Sequence, residues 1–313
     1  MSLPMPEIVV TEDGSITCLD QTTGELYHNR AGAYTEALQN YVLPSGLESL
    51  FSAQNDVRLL DVCFGLGYNS FVLIQQALSL LEKQTKGKEK FSLELIGLDQ
   101  DRQIFELIPT VLESGNFADL PSVWKKSIIE SLDNLRHSSD RQICQLSCPA
   151  AGGELAVKLE LRLADVRGEL PRLVSQKRQS FDLVFHDGFS PRRVPELWTI
   201  DLFRHYVELL RPTGKILTYS SAVAVRGALR ALGLIVKRTA AVGGKSGGTI
   251  AALLDESGEK REVYPLTAAE EKRLASCSAT PYRDPSLADT RSQIVGRREK
   301  EIAHRRLQEP GKT

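Results

Sequence analysis

Apolar runs that end in or beside an aspartate recur through the middle of the chain and constrain its fold more than any other feature. The runs are Val57–Cys63 with Asp61, Phe91–Leu98 before Asp99, Leu155–Leu163 before Asp165, and Phe181–His186 before Asp187. Amphipathic segments separate them, such as Asn69–Leu81 with its helical spacing. This alternation predicts an α/β fold with a Rossmann-like, doubly wound and mostly parallel sheet. The acids would then lie at the carboxyl ends of strands, where such sheets bind ligands.

Later apolar runs raise the number of predicted strands to seven. They are Lys215–Tyr219, Leu234–Thr239 and Ile250–Leu254, and helices are predicted at Ser122–Leu135, Leu197–Leu210 and Ala222–Leu232. Upstream, the pattern of residues 8–27 predicts a β-hairpin that turns at Asp13-Gly14. We therefore divide the chain into an N-terminal hairpin and helix at 1–56, a main domain at 57–255 and a charged, helical C-terminal extension at 256–313.

The composition excludes several classes of protein. No run approaches the roughly 20 apolar residues that span a bilayer, and the first residues lack the basic and apolar segments of a signal peptide. The five cysteines are scattered and odd in number, which favours reduced thiols in the cytoplasm. Cys144 and Cys148 have no second Cys/His pair at zinc-site spacing. We expect a cytoplasmic protein with no membrane segment and no metal site.

A glycine-rich turn follows the first predicted strand. The segment runs Asp61-Val-Cys-Phe-Gly65-Leu-Gly67-Tyr-Asn69 and opens a helix, so its glycines let the backbone approach a ligand closely. Ser70 stands where the dinucleotide fingerprint has its third glycine, which counts against NAD. An acid before the turn is instead the pattern of a nucleoside–methionine site, in which a carboxylate can hold the ammonium group of the ligand.

The acids at the strand ends suggest separate contacts with one ligand. Asp61 would hold an ammonium group, Asp99 the two ribose hydroxyls and Asp165 the adenine amino group. Each acid alone could equally be a helix N-cap. Taken together with the glycines, they resemble the layout of class I S-adenosyl-L-methionine methyltransferases, which implies that cofactor. The residues expected to bind it are Asp61, Gly65, Gly67, Asn69, Asp99 and Asp165.

The turn Asp187-Gly-Phe-Ser-Pro191 follows the fourth predicted strand and marks the expected centre of the chemistry. Gly188 and Pro191 make the turn tight and stiff, so that Asp187 would point into the site. The carboxylate of Asp187 could orient an amine or accept its proton. Phe189 could stack on a base or only pack beneath the turn.

Motifs spread over residues 7–254 resemble the methyltransferase family that completes 5-methylaminomethyl-2-thiouridine at the tRNA wobble position. They are Thr11-Glu-Asp-Gly-Ser15, Tyr27-His28, Gly32–Ala37, Asp187–Pro191, Pro195-Glu-Leu-Trp-Thr199, Arg211-Pro-Thr-Gly214, Thr218–Ala222 with Val225-Arg226, and Gly243-Gly-Lys245. The resemblance implies N-methylation of the aminomethyl group of 5-aminomethyl-(2-thio)uridine, with Asp187 as the catalytic residue and tRNA as the partner. It also implies the stand-alone type that lacks the fused flavin oxidase domain, so that a separate enzyme would supply the aminomethyl intermediate.

The resemblance further implies which residues contact the substrate. They are Phe189, Pro191, Arg226 and Lys245. Asp61 and Asp99 depart from the family, since many members have Glu at both positions. Glu36, in the N-terminal motif, would close over the cofactor or have a structural role only. Basic residues exceed acidic ones in 291–313, which indicates either a solvated helix or a phosphate-contacting tail.

Two other functions remain open at this stage. Small-molecule amine N-methyltransferases and aminopropyltransferases share the sheet, and activity on free amines but not on tRNA would favour them. A non-catalytic RNA-binding protein could also keep the fold, and it would fail to bind the cofactor.

Overall fold

The computed structural model describes residues 7–83, 89–137, 139–241, 247–254 and 262–308. Its strands are β1 (Ile8–Val10), β2 (Ile16–Asp20), β3 (Glu25–Leu26), β4 (Asp56–Val62), β5 (Glu89–Asp99), β6 (Arg141–Ala150), β7 (Gly153–Leu163), β8 (Phe181–His186), β9 (Leu210–Thr218), β10 (Ile235–Thr239), β11 (Thr249–Ala252) and β12 (Val263–Tyr264). Its α-helices are α1 (Ala33–Ala37), α2 (Leu43–Ser45), α3 (Leu47–Ala53), α4 (Tyr68–Lys83), α5 (Ile108–Glu113), α6 (Ser122–His137), α7 (Val166–Lys177), α8 (Ile200–Leu209), α9 (Val223–Ala231), α10 (Ala268–Leu274) and α11 (Arg291–Gln308).

Five parallel strands form the centre of the main sheet. The strand order is β12-β10-β11-β9-β8-β4-β5-β7-β6. Strands β9, β8, β4, β5 and β7 pair in parallel, whereas the outer strands pair antiparallel. The predicted α/β class with a doubly wound, mostly parallel core is confirmed, and each of the seven predicted strands is present.

The sequence pattern does not predict the two strands at the edges of the sheet. Strand β6 pairs with β7 over ten residues, but among them only Cys144 and Leu146 are buried. The other side chains of β6 face water at least in part, so its apolar alternation is too short to recognise. Strand β12 has two residues. The sheet of the described residues therefore has nine strands instead of seven.

The strand order creates a topological switch point between β4 and β8. The chain passes from β4 to β5 and β7 on one side of the sheet, and then continues with β8 and β9 on the other side of β4. The connections that leave the carboxyl ends of β4 and β8 therefore run in opposite directions. They open a crevice there, which is the usual ligand site of such sheets.

Apolar layers cover both faces of the sheet and bury its central strands on both sides. On one face, Leu59 and Phe185 belong to a cluster that contains Phe71 of α4. On the other face, Leu60 belongs to a cluster that contains the fully buried Trp198. Close packing on both faces fixes the ends of β4 and β8, and hence the walls of the crevice.

The N-terminal segment packs against the same core. Strands β1–β3 form a small antiparallel sheet, and Gly14 at φ 78° closes its predicted turn. The buried ring of Tyr41 lies 5.3 Å from that of Phe185, between centroids. Its hydroxyl donates to the carbonyl oxygen of His186 at 3.3 Å and accepts the N–H of Tyr219 at 3.2 Å. The segment is thereby fixed to the ends of β8 and β9, whereas the three-part division of the chain stays a prediction.

The C-terminal extension is docked on the main domain wherever the structure describes it. Ile294 of α11 is fully buried. The guanidinium carbon of Arg298 lies 4.8 Å from the ring centroid of Tyr282, and its Nε donates to the carbonyl oxygen of Thr280 at 2.7 Å. Helices α10 and α11 are thus packed parts of the fold. None of the described helices is both long and apolar enough to cross a bilayer.

Two arginines of α9 form ion pairs with α10 at different depths. Arg226 is 3% exposed and donates to Glu270 Oε1 at 2.6 Å and to Thr249 Oγ1 at 2.8 Å. Arg230 donates to Glu271 at 2.7 Å, but 43% and 49% of the two side chains are exposed. The two ion pairs therefore allow a buried interaction to be compared with an exposed one between the same two helices.

We expect Arg226→Ala to lower the free energy of unfolding by about 3 kcal/mol, because it leaves buried polar groups without their partner. The matched control Arg230→Ala should cost less than about 1 kcal/mol, as is usual for exposed ion pairs. Urea denaturation followed by circular dichroism measures both changes. Equal losses in the two variants would contradict a structural role for Arg226.

Candidate active site

A cavity of about 1030 Å³ occupies the crevice at the switch point. Its floor comes from the residues that follow the central strands: Cys63 after β4, Asp99 at the end of β5, Asp165 after β7, and Asp187 and Phe189 after β8. Residues 19–30 of the N-terminal sheet form its roof. Ligand pockets are usually about 300–1,000 Å³, so this cavity has room for a large ligand.

The glycine turn after β4 has the tight backbone that the sequence predicts. Cys63, Gly65 and Gly67 all have positive φ angles, of 62°, 52° and 81°. A Cβ on Gly67 would collide with the rings of Phe64 and Phe71. Gly67 therefore needs both the left-handed conformation and the missing side chain, and the helix α4 starts directly behind it.

Asp99 fastens this turn to the end of β5. Its Oδ2 accepts the N–H of Gly65 at 2.7 Å, and its Oδ1 accepts the N–H of Asp101 at 2.8 Å. Burial raises the pKa of Asp99 to about 6, although both backbone donors favour the charged form. Asp99 lies on the cavity wall, so a ligand hydroxyl can reach the remaining lone pairs of its carboxylate.

Asp61 and Asp165 occupy different environments from Asp99. Asp61 is fully buried and accepts the hydroxyl of Ser70 at 2.6 Å, and it is not among the described residues that line the cavity. Burial raises its pKa well above the usual range. Asp165 caps α7, because its Oδ1 accepts the N–H of Arg167 at 2.9 Å, and it also lines the cavity. Asp165 thus caps a helix and also faces the cavity, whereas Asp61 lies beneath the glycine turn.

Asp187 is held on the cavity wall by Asn69. The Nδ2 of Asn69 donates to Asp187 Oδ2 at 2.8 Å, and the N–H of Asp187 donates to the carbonyl oxygen of Val62 at 3.0 Å. Burial and the nearby negative charge of Glu36 raise the pKa of Asp187 to about 7. The structure therefore brings Asn69 to the expected catalytic residue, while its expected contact with the cofactor stays a prediction.

Strand β3 and the residues after it cover Phe189 and tie the roof to both sides of the cavity. The ring centroids of Tyr27 and Phe189 are 5.0 Å apart in an edge-to-face contact. Tyr27 donates its hydroxyl to Asp101 Oδ2 at 2.9 Å on the β5 side. Glu25 accepts the N–H and hydroxyl of Ser190 at 2.9 and 2.6 Å on the β8 side.

A second carboxylate, Glu36, also lines the cavity. Its Oε2 accepts the N–H of Asn29 at 3.0 Å and lies 3.9 Å from His28 Nδ1. Burial lowers the pKa of His28 to about 4, so the ring is neutral near pH 7. Tyr219 lines the cavity as well and donates its hydroxyl to the carbonyl oxygen of Gly188 at 2.9 Å.

Two of the remaining predicted substrate residues, Pro191 and Arg226, are described by the structure, and neither lines the cavity. Pro191 follows the Asp187 turn but is not among the described lining residues. Arg226 is buried against α10 and β11, which favours a structural role. Lys245 lies outside the described residues. Arg291, from the C-terminal extension, does line the cavity, with its Nη2 3.9 Å from Glu196 Oε1.

Carboxylates on the cavity wall, Asp99 and Asp165 among them, fit the hydroxyl and amino groups of a nucleoside–methionine ligand. Among the described residues, Asp61 Oδ1, Asn69 Oδ1 and His28 Nε2 are buried side-chain atoms without a hydrogen-bond partner. Such atoms are costly in a folded protein unless a ligand or water satisfies them. In the same described part of the chain, no cluster of three or more His, Cys, Asp or Glu side chains could hold a metal ion. Of Asp61, Asn69 and His28, only His28 is among the described residues that line the cavity.

Comparison with known proteins supports this interpretation of the cavity. A family described as S-adenosyl-L-methionine-dependent methyltransferase matches residues 148–254. The crystal structure of MNMC2 from Aquifex aeolicus is 30% identical, with a TM-score of 0.68 over 96% of this chain and 85% of that chain.

Two curated relatives extend the similarity across most of the chain. An uncharacterized protein of Methanocaldococcus jannaschii is 26% identical over 93% of this chain and 71% of its own length. A bifunctional protein of tRNA 5-methylaminomethyl-2-thiouridine biosynthesis from Cupriavidus necator is 26% identical over 82% of this chain and 37% of its own length. The chain thus spans about a third of the bifunctional proteins that it matches.

The glycine turn provides a direct test of the cavity. We expect Gly67→Ala to lower the free energy of unfolding by more than about 2 kcal/mol. The backbone strain of a non-glycine residue at positive φ and the collision of the new Cβ with the rings of Phe64 and Phe71 both contribute. The substitution should also weaken S-adenosyl-L-methionine binding at least about tenfold, since Cys63 at the start of this turn lines the cavity and a shifted turn would displace it. The control Gly14→Ala has a similar φ of 78° but open space around the new Cβ. Gly14→Ala should lower the free energy of unfolding by about 1 kcal/mol. It should leave the affinity for S-adenosyl-L-methionine, measured by calorimetry, unchanged. Equal affinities in both variants would contradict this placement of the cofactor.

Proposed function

This chain belongs to the family of S-adenosyl-L-methionine-dependent methyltransferases that includes MNMC2 of Aquifex aeolicus, and on that premise we propose that it methylates an amine on tRNA. The acceptor is the aminomethyl group of 5-aminomethyl-(2-thio)uridine at the wobble position, and the product is 5-methylaminomethyl-(2-thio)uridine. The curated relatives of tRNA 5-methylaminomethyl-2-thiouridine biosynthesis support this choice of substrate.

The position of Asp187 is the observation that carries the proposal. Its carboxylate follows β8 at the switch point and lines the cavity with Phe189. Asn69 fixes its orientation through the 2.8 Å hydrogen bond. An amine placed against this carboxylate shares the cavity with Asp99 and Asp165, the residues proposed to bind the cofactor.

The chemistry requires a neutral amine next to the methyl donor. S-adenosyl-L-methionine supplies a methyl group that is already activated by its positively charged sulfur. An alkylammonium has no free electron pair, so one proton has to leave before attack, and Asp187 can accept it. Because its pKa is raised to about 7, Asp187 is an acceptor only when it is ionised. The rate should therefore fall as the pH drops below about 7.

Side chains near the cavity mouth suit a nucleic-acid substrate. The partly exposed ring of Phe189 offers a surface for an unstacked base, as aromatic rings do in RNA recognition. Arg291 lines the mouth, and Arg192 and Arg193 are exposed directly after the Asp187 turn. These cations can contact phosphates without reading the base sequence.

The proposal includes a cytoplasmic location and a supplier of the acceptor. All five cysteines are free thiols, which supports a reducing compartment. Methyl transfer uses an aminomethyl group but does not create it, so another enzymatic activity has to supply that group on the tRNA.

Methyl incorporation is the decisive test. Labelled S-adenosyl-L-methionine is incubated with tRNA bearing 5-aminomethyluridine, with unmodified tRNA and free polyamines as controls, and nucleoside analysis locates the label. We expect label only in 5-methylaminomethyluridine from the modified tRNA. Label in polyamines and none in tRNA would overturn the proposed substrate in favour of a small-amine methyltransferase.

Removing the carboxylate tests its role. Asp187→Ala should reduce single-turnover methylation at least about 100-fold, the usual contribution of a positioned base. Its affinity for S-adenosyl-L-methionine should change less than threefold (about 0.7 kcal/mol), as calorimetry can measure. Wild-type rates in this variant would rule out Asp187 as the proton acceptor.

A further inference from the structure

We propose that Glu36 is a second carboxylate of the acceptor site, and that it binds the substrate as an ammonium ion together with Asp187. The inference rests on the proposed function and extends it to the charge state in which the amine enters. It assigns a substrate contact to a residue of the N-terminal segment, 151 positions before Asp187 in the chain.

Both carboxylates line the same cavity, together with Tyr219 and His28. The charges of Glu36 and Asp187 also act on the same two neighbouring hydroxyls, those of Tyr41 and Tyr219. Only 13% of the Glu36 side chain is exposed, and the N–H of Asn29 fixes its Oε2 at 3.0 Å. His28, whose Nδ1 lies 3.9 Å from Glu36 Oε2, has a buried Nε2 without a hydrogen-bond partner among the described atoms. The surroundings of Glu36 can therefore receive a polar group.

The electrostatics favour a positively charged ligand there. Burial is the largest cause of the raised pKa of Asp187, and the negative charge of Glu36 is the second largest. The titratable groups that also face the pair are Tyr41, Tyr219, Cys63, Asp61 and His28, of which the first four gain negative charge when they ionise. His28 is neutral near pH 7 because burial lowers its pKa to about 4. Repulsion between two partly buried carboxylates is relieved when an ammonium ion binds between them.

The reaction then balances with one proton released. The ammonium nitrogen donates hydrogen bonds to both carboxylates, and one of its protons moves to Asp187. The freed electron pair forms the bond to the methyl carbon, and the carbon–sulfur electron pair stays on sulfur. Glu36 remains ionised and faces the methylated ammonium, and Asp187 later releases its proton to water.

Single-turnover pH profiles on aminomethyluridine tRNA test the role of Glu36. Glu36→Gln keeps an oxygen for the N–H of Asn29 but removes the charge. We expect the acidic limb of the rate–pH profile of Glu36→Gln to shift to lower pH by about one unit. Its KM for tRNA should rise about tenfold. Glu36→Asp should restore most of the wild-type limb, since it keeps the charge. The exposed Glu12→Gln, in the same N-terminal segment, should match the wild type.

A measurement without tRNA separates this inference from the proposed function. The melting temperatures of the wild type, Glu36→Gln and Glu12→Gln are compared first, to check that the variants fold. Carbon-13 NMR of labelled aspartate then follows the titration of Asp187 in each of the three proteins. A lower pKa of Asp187 in Glu36→Gln alone is expected whatever the acceptor is. An unchanged pKa, or a KM shift without any change in the profile, would overturn the pairing of Glu36 with Asp187. Failure of wild-type methylation on the modified tRNA would instead overturn the proposed function.

Discussion

Burial of carboxylates at the ends of parallel strands is the constraint on which the site depends. Asp61, Asp99 and Asp187 each lose much of their contact with water, and burial raises the pKa of all three. The fold compensates with fixed donors: Ser70 for Asp61, two backbone N–H groups for Asp99, and Asn69 for Asp187. A charged ligand that enters this region meets acceptors already oriented by the protein, which reduces reorganisation during the reaction.

The features that could be predicted are those encoded within a short stretch of sequence. A buried parallel strand is an apolar run, and the residue after it must lie at the carboxyl edge, so Asp99, Asp165 and Asp187 could be placed without a structure. Gly65 and Gly67 were equally visible, because a turn from strand to helix needs them. Strand β6 escaped prediction because its packed face carries mostly small side chains, Cys144, Cys148 and Ala150 beside Leu146, which give a weak apolar signal.

Residues that act across long chain separations could not be placed in this way. Glu25 and Ser190 are 165 positions apart, and Tyr27 and Asp101 are 74 apart, so nothing local marks either pair. Arg226 shows the same limit, because a lone arginine in a sequence suggests surface charge. Its burial depends on Glu270 in the C-terminal extension, a region that the family motifs do not cover.

The roof of the cavity has a mechanical consequence. Glu25 holds the turn that carries Phe189, and Tyr27, two residues later, holds the edge of β5 next to Asp99. Any displacement of this short strand therefore acts on the β8 side and the β5 side of the cavity together. The two walls of the cavity are in this sense joined through three residues of backbone.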